Sequence, residues 1–558
     1  MFKGLRITKL LLAALIGVQI NLSAQTVSLS ITNLDKPISM DRKEGLIGQD
    51  ETGIYQRIQI AHGASMFALT KLDLKGKSIA YKEVVPIDGM EKMRFSPHFF
   101  LSNGRLWMSV KHYMLKQKKI TLLVQELDRS TLEYKGDPKV IAEDAFAKDA
   151  DFTSDFLKPE GSAYFVLMHG NAKGCDYRLY NSSFEPVRDN AHTNMPFDGS
   201  TDGFPFDVVS GSTTKQVWEA KTNVGNVFSG TTGKRMTGMV CDTAGNLCIN
   251  IFFTDCKRNA NEGYIGNYLF LLPKGATNAA ELKLDDNDNI SFTSVHSDKS
   301  EIVCAGFYSV SGEILPQGTR YLRATFNGQV TVNKRQAFNH DLLYSISDKP
   351  YETILFGNKP THEYHLMPFL EGNNGDAFLT FEHFTWTTTQ PDAKGNTRTM
   401  QDIREIVAVR ITSDGVVAWQ HAIPRYLGLD DEVPQGKAEG SFVRVVRNDN
   451  FYAAYIDAPE NITLSSPREL KQVKPFHKGV INLKDPSKRA LVLATITPNG
   501  RLTRENLQEF ALWVTAHPRH ATIDARGNVT IPIVDNSQSA DEENIYSKLA
   551  IIRFESTH

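Results

Sequence analysis

The chain has 558 residues, 41% of them hydrophobic, and a formal net charge of −2. A chain this long and this apolar can bury a sizeable core, which argues against wholesale disorder. The near-neutral balance predicts no long-range attraction to nucleic acid or an anionic membrane, and the short run KQKK at 116–119 reads as a solvated loop.

The first residues, MFKGLRITK, carry Lys3, Arg6 and Lys9, and the apolar run LLLAALIGV follows. That run has the length of a signal-peptide core and is short for a membrane span. Small residues in NLSAQ place cleavage after Ala24. Residues 1–24 are therefore predicted to be a signal peptide and 25–558 the mature domain. No Cys lies near the cleavage site, so no lipid anchor is expected there. The LSAQ ending resembles signal peptides of secreted Bacteroidota proteins. No later stretch reads as a transmembrane helix. The expected location is periplasmic or extracellular, and a C-terminal LAIIRFESTH with no appended sorting domain favours the periplasm.

Five cysteines survive cleavage: Cys175, Cys241, Cys248, Cys256 and Cys304. An exported compartment permits disulfides, but an odd count leaves at least one thiol over unless it pairs between chains. The spacings do not match a zinc knuckle or ribbon. Two readings stand: small buried strand residues, or one or two disulfides.

After the leader, one hairpin type recurs. FFLSNGRLWMSV, MVCDTAGNLCINIFF, FLEGNNGDAFLTF, VVRNDNFYAAYI and TIDARGNVTIPIV each place Asn, Asp or Gly between β-rich flanks. A second hairpin alternates with it, as in ALTKLDLKGKSIAYKEV, YLRATFNGQVTVNK, IVAVRITSDGVVAWQ and VLATITPNGRLTREN. Together they make a four-stranded unit of roughly 65 residues, and strong helical periodicity is absent. That is the pattern of a β-propeller. The fold class is all-β, a single propeller. Seven units follow residue 44, and an eighth near 512–554 lacks its outer strand. The segment TVSLSITNL, just after the cleavage site, is expected to supply it and close the ring without an unpaired edge at the seam. The count points to eight four-stranded blades. Seven blades, or two small consecutive propellers, are the alternatives.

Turns within hairpins are tight, whereas the connections between hairpins are long and uneven. FTWTTTQPDAKGNTRTMQDIRE and APENITLSSPRELKQVKPFHKGVINLKDPSKRA are the extremes. All long connections leave one face of a propeller, which makes that face the candidate working face.

Chemical motifs are sparse. THEYHLM offers His362, Glu363 and His365, but a zincin needs His-Glu-x-x-His on a helix. In a strand, positions i and i+3 point to opposite faces. LDDNDNI at 284–290 could wrap calcium through its oxygens, but it lacks the Gly and distal Glu of an EF-hand loop. No Gly-x-Ser-x-Gly elbow and no Gly-rich phosphate loop is present. Asp207, Asp242, Glu371, Asp449 and Asp524 lie near inner strands or their turns, and two of them facing one another would suit glycosidase chemistry. Turn aspartates more often bond their own backbone. Tyr264 in NEGYIGNY and Trp386 in FTWTTTQ fall in predicted long-face loops, where exposed aromatics anchor sugars or proteins. His383 in FEHFTW is a third candidate binding residue. No catalytic residue and no metal site is assigned.

The stretch AVRITSDGVVAWQ is similar to the Trp-docking turn of quinone-dependent dehydrogenase propellers and their non-catalytic relatives. That likeness implies that Trp419 packs between neighbouring blades. The adjacent Cys-Cys pair of the enzymes is missing, so no quinone, and no other cofactor, is expected. The mature chain as a whole resembles secreted Bacteroidota-type propeller proteins. The functional expectation is a non-catalytic binding or scaffold propeller that engages a protein or glycan through its long-loop face. The alternative is a carbohydrate-active hydrolase or lyase with its site in the central funnel.

Overall fold

The computed structural model describes residues 25–39, 45–59, 67–87, 97–114, 119–145, 154–157, 164–171, 174–194, 234–257, 263–284, 289–298, 301–309, 315–347, 361–388, 399–430, 442–465, 489–510, 514–535 and 545–556, except positions 243, 277 and 374. The fold is an all-β propeller. The described residues form eight antiparallel sheets in chain order. Sheet 1 spans 45–84, sheet 2 98–145, sheet 3 154–194, sheet 4 234–283, sheet 5 289–337, sheet 6 361–430 and sheet 7 443–510. Sheet 8 combines 514–556 with the N-terminal strand Gln25–Ser39. In sheets 1 to 7, four strands pair in sequence order, and sheet 6 gains a short fifth strand, Leu427–Asp430.

Burial tells the strands apart. In sheet 1 the third strand, Phe67–Leu72, is buried throughout, whereas the fourth, Ser78–Val84, alternates half-buried and exposed positions before Val84. A strand covered on both faces lies inside the stack, and an alternating one forms the outer rim. The turns between third and fourth strands share one chemistry. The Gly415 N–H donates to the Thr412 carbonyl at 2.7 Å, and the Thr412 N–H donates to the Val416 carbonyl at 2.8 Å. Thr497, Gly500 and Arg501 repeat the arrangement in sheet 7. Gly415 and Gly500 have φ of +84° and +85°, the left-handed region that glycine enters without Cβ strain.

Each sheet packs on the next. Tyr55 and Leu69 of sheet 1 meet Phe99 and Met108 of sheet 2. Trp107 of sheet 2 meets Phe184 of sheet 3 edge-on, with ring centroids 4.6 Å apart. Leu179 of sheet 3 lies over Gly245 of sheet 4. Cys248 and Leu269 of sheet 4 face Cys304 and Leu322 of sheet 5. Phe307 of sheet 5 meets Phe381 of sheet 6, and Phe378 and Trp419 of sheet 6 meet Phe451 and Tyr455 of sheet 7. Tyr452 and Leu493 of sheet 7 meet Ile531 and Phe554 of sheet 8. Leu549 and Ile551 of sheet 8 then pack on Ile54 and Leu72 of sheet 1. The described sheets thus close into a ring.

The expected closing strand is present. Gln25–Ser39 pairs antiparallel with Ile545–Ser556, matching Val27 to Phe554 and Ile31 to Ala550, and so provides the rim strand that the last unit lacks. One helix occurs among the described residues, α1 (His340–Ser347), between sheets 5 and 6, with Leu342 and Ile346 in the core. It is only eight residues long, and helical periodicity hardly shows over so short a stretch. Cys248 and Cys304 are buried free thiols, and Cys241 is buried as well. The side chains of Cys175 and Cys256 lie outside the described ones.

Candidate functional site

Long connections follow the fourth strand of sheet 6 and the second strand of sheet 7. Where they leave sheets 6 and 7, the structure places a buried polar assembly. The outer strand of sheet 6, Val417–Ile423, is broken by Pro424 before the chain resumes as Leu427–Asp430. At that break Arg425 turns inward and is fully buried. Its Nη1 bonds Glu382 of the same sheet, and its Nε–H donates to the Ile456 carbonyl of sheet 7 at 3.0 Å. Its guanidinium carbon lies 5.6 Å from the centre of the Tyr455 ring. A buried pair of this kind requires good geometry and further hydrogen bonds to offset desolvation.

Asp457 ends the second strand of sheet 7 and ties the two connections together. Its Oδ1 accepts the Ala458 N–H at 2.8 Å, Asn461 Nδ2 at 2.6 Å and the Tyr426 N–H at 3.2 Å. Residues 459–463 form a short 3-10 turn beside it. Arg504, on the outer strand of sheet 7, donates to the carbonyls of Pro424 and Asn461, each at 2.8 Å, and to those of Ile462 and Leu464. One guanidinium therefore fixes both chain exits. Burial is the largest influence on the Asp457 carboxyl and lifts it to about 6, against the pull of its hydrogen bonds and the Arg425 charge.

His383 belongs to a second buried pair, on the side of sheet 6 that faces sheet 5. It is 1% exposed, and its Nδ1 lies 3.0 Å from Glu405 Oε1. The Tyr364 ring stacks on it, with centroids 4.7 Å apart. Burial penalises the Glu405 charge, but His383 and Arg404 outweigh that and hold the carboxyl at about 2. His383, a candidate binding residue on sequence, is thus placed inside a sheet interface and not on an exposed surface. Its neighbours in FEHFTW continue the strand Ala377–Thr388, so alternation turns the imidazole into the sheet interface. Tyr264 and Trp386 also lie on strands rather than in connections. Tyr264 is in Gly263–Leu272 opposite Cys256, and Trp386 in Ala377–Thr388 opposite Thr361 and Gln401. Their side chains lie outside the described ones.

Asp242, Glu371, Asp449 and Asp524 sit at the opposite, short-turn face. Asp242 and Asp524 share one turn. Each accepts a backbone N–H four residues on through Oδ1, from Asn246 and Asn528 at 2.8 Å, and the same asparagine's amide through Oδ2. The asparagines pass the contact on, Asn246 to the Lys274 N–H and Asn528 to the Phe554 N–H. These are the backbone-bonding aspartates of a turn. Asp449 accepts the Asn373 N–H at 3.0 Å, and Glu371 ends the inner strand of sheet 6. Asp207 lies outside the described residues, as do positions 285–288 of LDDNDNI. THEYHLM is strand, within Thr361–Glu371.

Sequence reasoning missed Glu382, Arg425, Asp457 and Arg504. Only AIPRYLGL carried a signal, because a proline and an arginine interrupt an apolar strand there.

No family model matches the chain, and no curated protein matches it. Among solved structures, the Dos1 propeller is similar over 94% of each chain at 7% identity and a TM-score of 0.36. A polysaccharide lyase, Uly1, is similar over 64% of this chain and 76% of its own, at 8% identity and a TM-score of 0.31. Prolyl oligopeptidase B from Galerina marginata is similar over 93% of this chain and 57% of its own, at 8% identity and a TM-score of 0.34. Likenesses this remote transfer no activity to the chain.

Proposed function

We propose that the protein is an exported, non-catalytic binding propeller that holds a protein or glycan on its long-connection face. One observation carries this reading. Every buried carboxylate among the described residues is committed inside the scaffold: Asp242 to Asn246, Asp376 to Arg410, Glu382 to Arg425, Glu405 to His383 and Asp457 to Asn461. Glycoside chemistry needs two carboxyl groups facing one another across a cleft, and these five serve turns and sheet interfaces instead. The interlock of Arg425, Asp457 and Arg504 gives sheets 6 and 7 a rigid edge. A rigid edge bearing variable loops is the usual arrangement for recognition. The leader sequence is the ground for export. Tyr264 and Trp386 are the aromatic anchors proposed for the ligand.

The test uses the chain from residue 25 to its end. It is applied to a glycan array, to affinity capture from an exported proteome, and to a polysaccharide panel assayed for released ends and unsaturated products. Saturable binding, weakened at least tenfold by Trp386→Ala or Tyr264→Ala in a protein that stays folded, with no turnover, is the expected result. Multiple turnover of any polysaccharide would replace this reading with an enzymatic one.

A further inference from the structure

The interfaces that close the ring are unequal. Between sheets 7 and 8 the buried apolar set is large and rich in rings, including Tyr452, Phe510, Ile531, Ile533 and Phe554. Between sheets 8 and 1 the buried set among the described residues is Ile54, Leu72, Leu549 and Ile551, with Leu34 and Leu46 partly buried against it and no aromatic ring. Apolar area removed from water is the main force holding stacked sheets together, so among the described residues this seam is held less by that force than the interfaces of sheets 7 and 8 or 4 and 5.

The same seam buries polar groups. Gln56 lies two residues from Ile54 on one strand, and Thr70 two residues from Leu72 on the next, so both side chains face sheet 8. Gln56 and Thr70 are also directly opposite in register, and each is 1% exposed. Neither Gln56 Nε2 nor Thr70 Oγ1 has a hydrogen-bond partner among the described residues. A buried amide or hydroxyl left unpaired is destabilising, and exposure to water relieves it. Gln49 and Thr530 do bond each other across the seam, and Gln49 Nε2 donates to the Asn528 carbonyl at 2.8 Å. Among the described residues no strand pairing joins sheet 8 to sheet 1, as none joins any two neighbouring sheets. The strand Gln25–Ser39 stays hydrogen-bonded to sheet 8, and the chain leaves it to enter sheet 1 at Gly45.

We infer that the ring opens at this seam: sheets 8 and 1 part in a sub-global fluctuation while the interface of sheets 4 and 5 stays packed, with the N-terminal strand tethering the two sides. This rests on the packing alone and is independent of the binding reading. The molecule carries its own reference probes, because Cys248 and Cys304 are buried at the interface of sheets 4 and 5.

The experiment places a thiol in the seam by Thr70→Cys, and separately by Ile551→Cys in case the first variant fails to fold. The folded chain is exposed to a small alkylating agent. Labelling of each cysteine is followed by peptide mass spectrometry and scaled to its rate in the unfolded chain. The seam thiol is expected to label at least tenfold faster than Cys248 and Cys304. Adding Gln56→Leu, which removes an unpaired amide, is expected to slow seam labelling several-fold and leave the two reference thiols unchanged. A seam thiol that labels no faster than Cys248 and Cys304, or one indifferent to Gln56→Leu, would overturn the inference.

Discussion

Trp419 of sheet 6 lies against Gly500 of sheet 7 so closely that a Cβ on the glycine would come 3.0 Å from the Trp419 Cβ and 3.3 Å from its Cγ. The glycine belongs to the tight turn of the next sheet, at a φ of +85°. One position thus serves two needs: a backbone conformation that side chains resist, and room for an indole. The Phe378 and Phe451 rings enclose the same indole from the two sheets, with centroids 5.9 and 6.4 Å away. His421 completes the contact by donating from Nε2 to the Gly500 carbonyl at 2.7 Å. The SDG turn that precedes Trp419 is a chain reversal, and the tryptophan after it is the docking element.

Trp419→Ala is therefore expected to destabilise the protein by about 3–5 kcal/mol, the range for removing a buried aromatic side chain. Gly500→Ala should also destabilise, since it adds a Cβ at a positive φ against the indole. Denaturant midpoints of both variants and of the double variant check this. The double should fall short of the sum, because both changes act on one contact.

Sequence and structure agree wherever the determinant is local. Turns such as Thr412–Val416 and Thr497–Arg501 are set by a threonine, a glycine and the strands on either side, all within a few residues. The unpaired rim of the last unit and the unpaired strand after the leader could be matched because each lacked a partner, and Val27 does meet Phe554. Strand ends were harder to read. FTWTTT looks like the start of a loop because polar threonines follow the aromatics, but β-branched residues extend the strand to Thr388. Beyond the proline and arginine that interrupt AIPRYLGL, the buried ionic pairs left no local mark. Glu382 and Arg425 are 43 positions apart, and His383 and Glu405 22 apart. Nothing in either segment tells a buried charge from a solvated one.

Arg425 and Glu382 are each fully buried, which makes them suitable for separating the two halves of an ion pair. Arg425→Met or Glu382→Gln alone is expected to cost about 3–5 kcal/mol, because the remaining group stays buried and poorly compensated. The double change Glu382→Leu with Arg425→Met should recover most of that loss. A double-mutant cycle by chemical denaturation measures the coupling. Equal, additive losses would show that the two side chains act through packing rather than charge.

Removing residues 25–39 exposes the backbone of Ile545–Ser556 as a bare rim strand, because the two pair over most of their length. An uncovered edge invites pairing with another chain. The truncated protein is expected to lose thermal stability and to associate, as seen by light scattering on a sizing column. Gly76→Ala is the milder version of the same perturbation. Gly76 sits at a φ of +79°, and a Cβ there would fall 2.0 Å from Thr32 Cγ2 of the closing strand. This variant should lower the melting temperature without removing any of the strand's own hydrogen bonds.

Two enclosed carboxyls act on stability in opposite directions as pH changes. Asp457 titrates at about 6 in the fold, lifted chiefly by burial, against about 3.9 in an unfolded chain. Between those values the folded state holds the proton more tightly. Its contribution is full below pH 4, falls as pH rises to 6 and is flat above, by roughly 3 kcal/mol at 1.36 kcal/mol per unit. Glu405 sits at about 2 in the fold, since the His383 and Arg404 charges outweigh its burial, against about 4.3 unfolded. Its contribution is present above pH 4.3 and is lost as pH falls toward 2. Melting temperatures across pH 2–7 separate the two: Asp457→Asn should flatten the fall between pH 4 and 6, and Glu405→Gln the loss on the acid side. If Asp457→Asn follows the parent protein through pH 4–6, the three donors on Oδ1 and the Arg425 charge have prevailed over burial. Asp457 would then be ionised throughout, and Arg425 would face two negative partners instead of one.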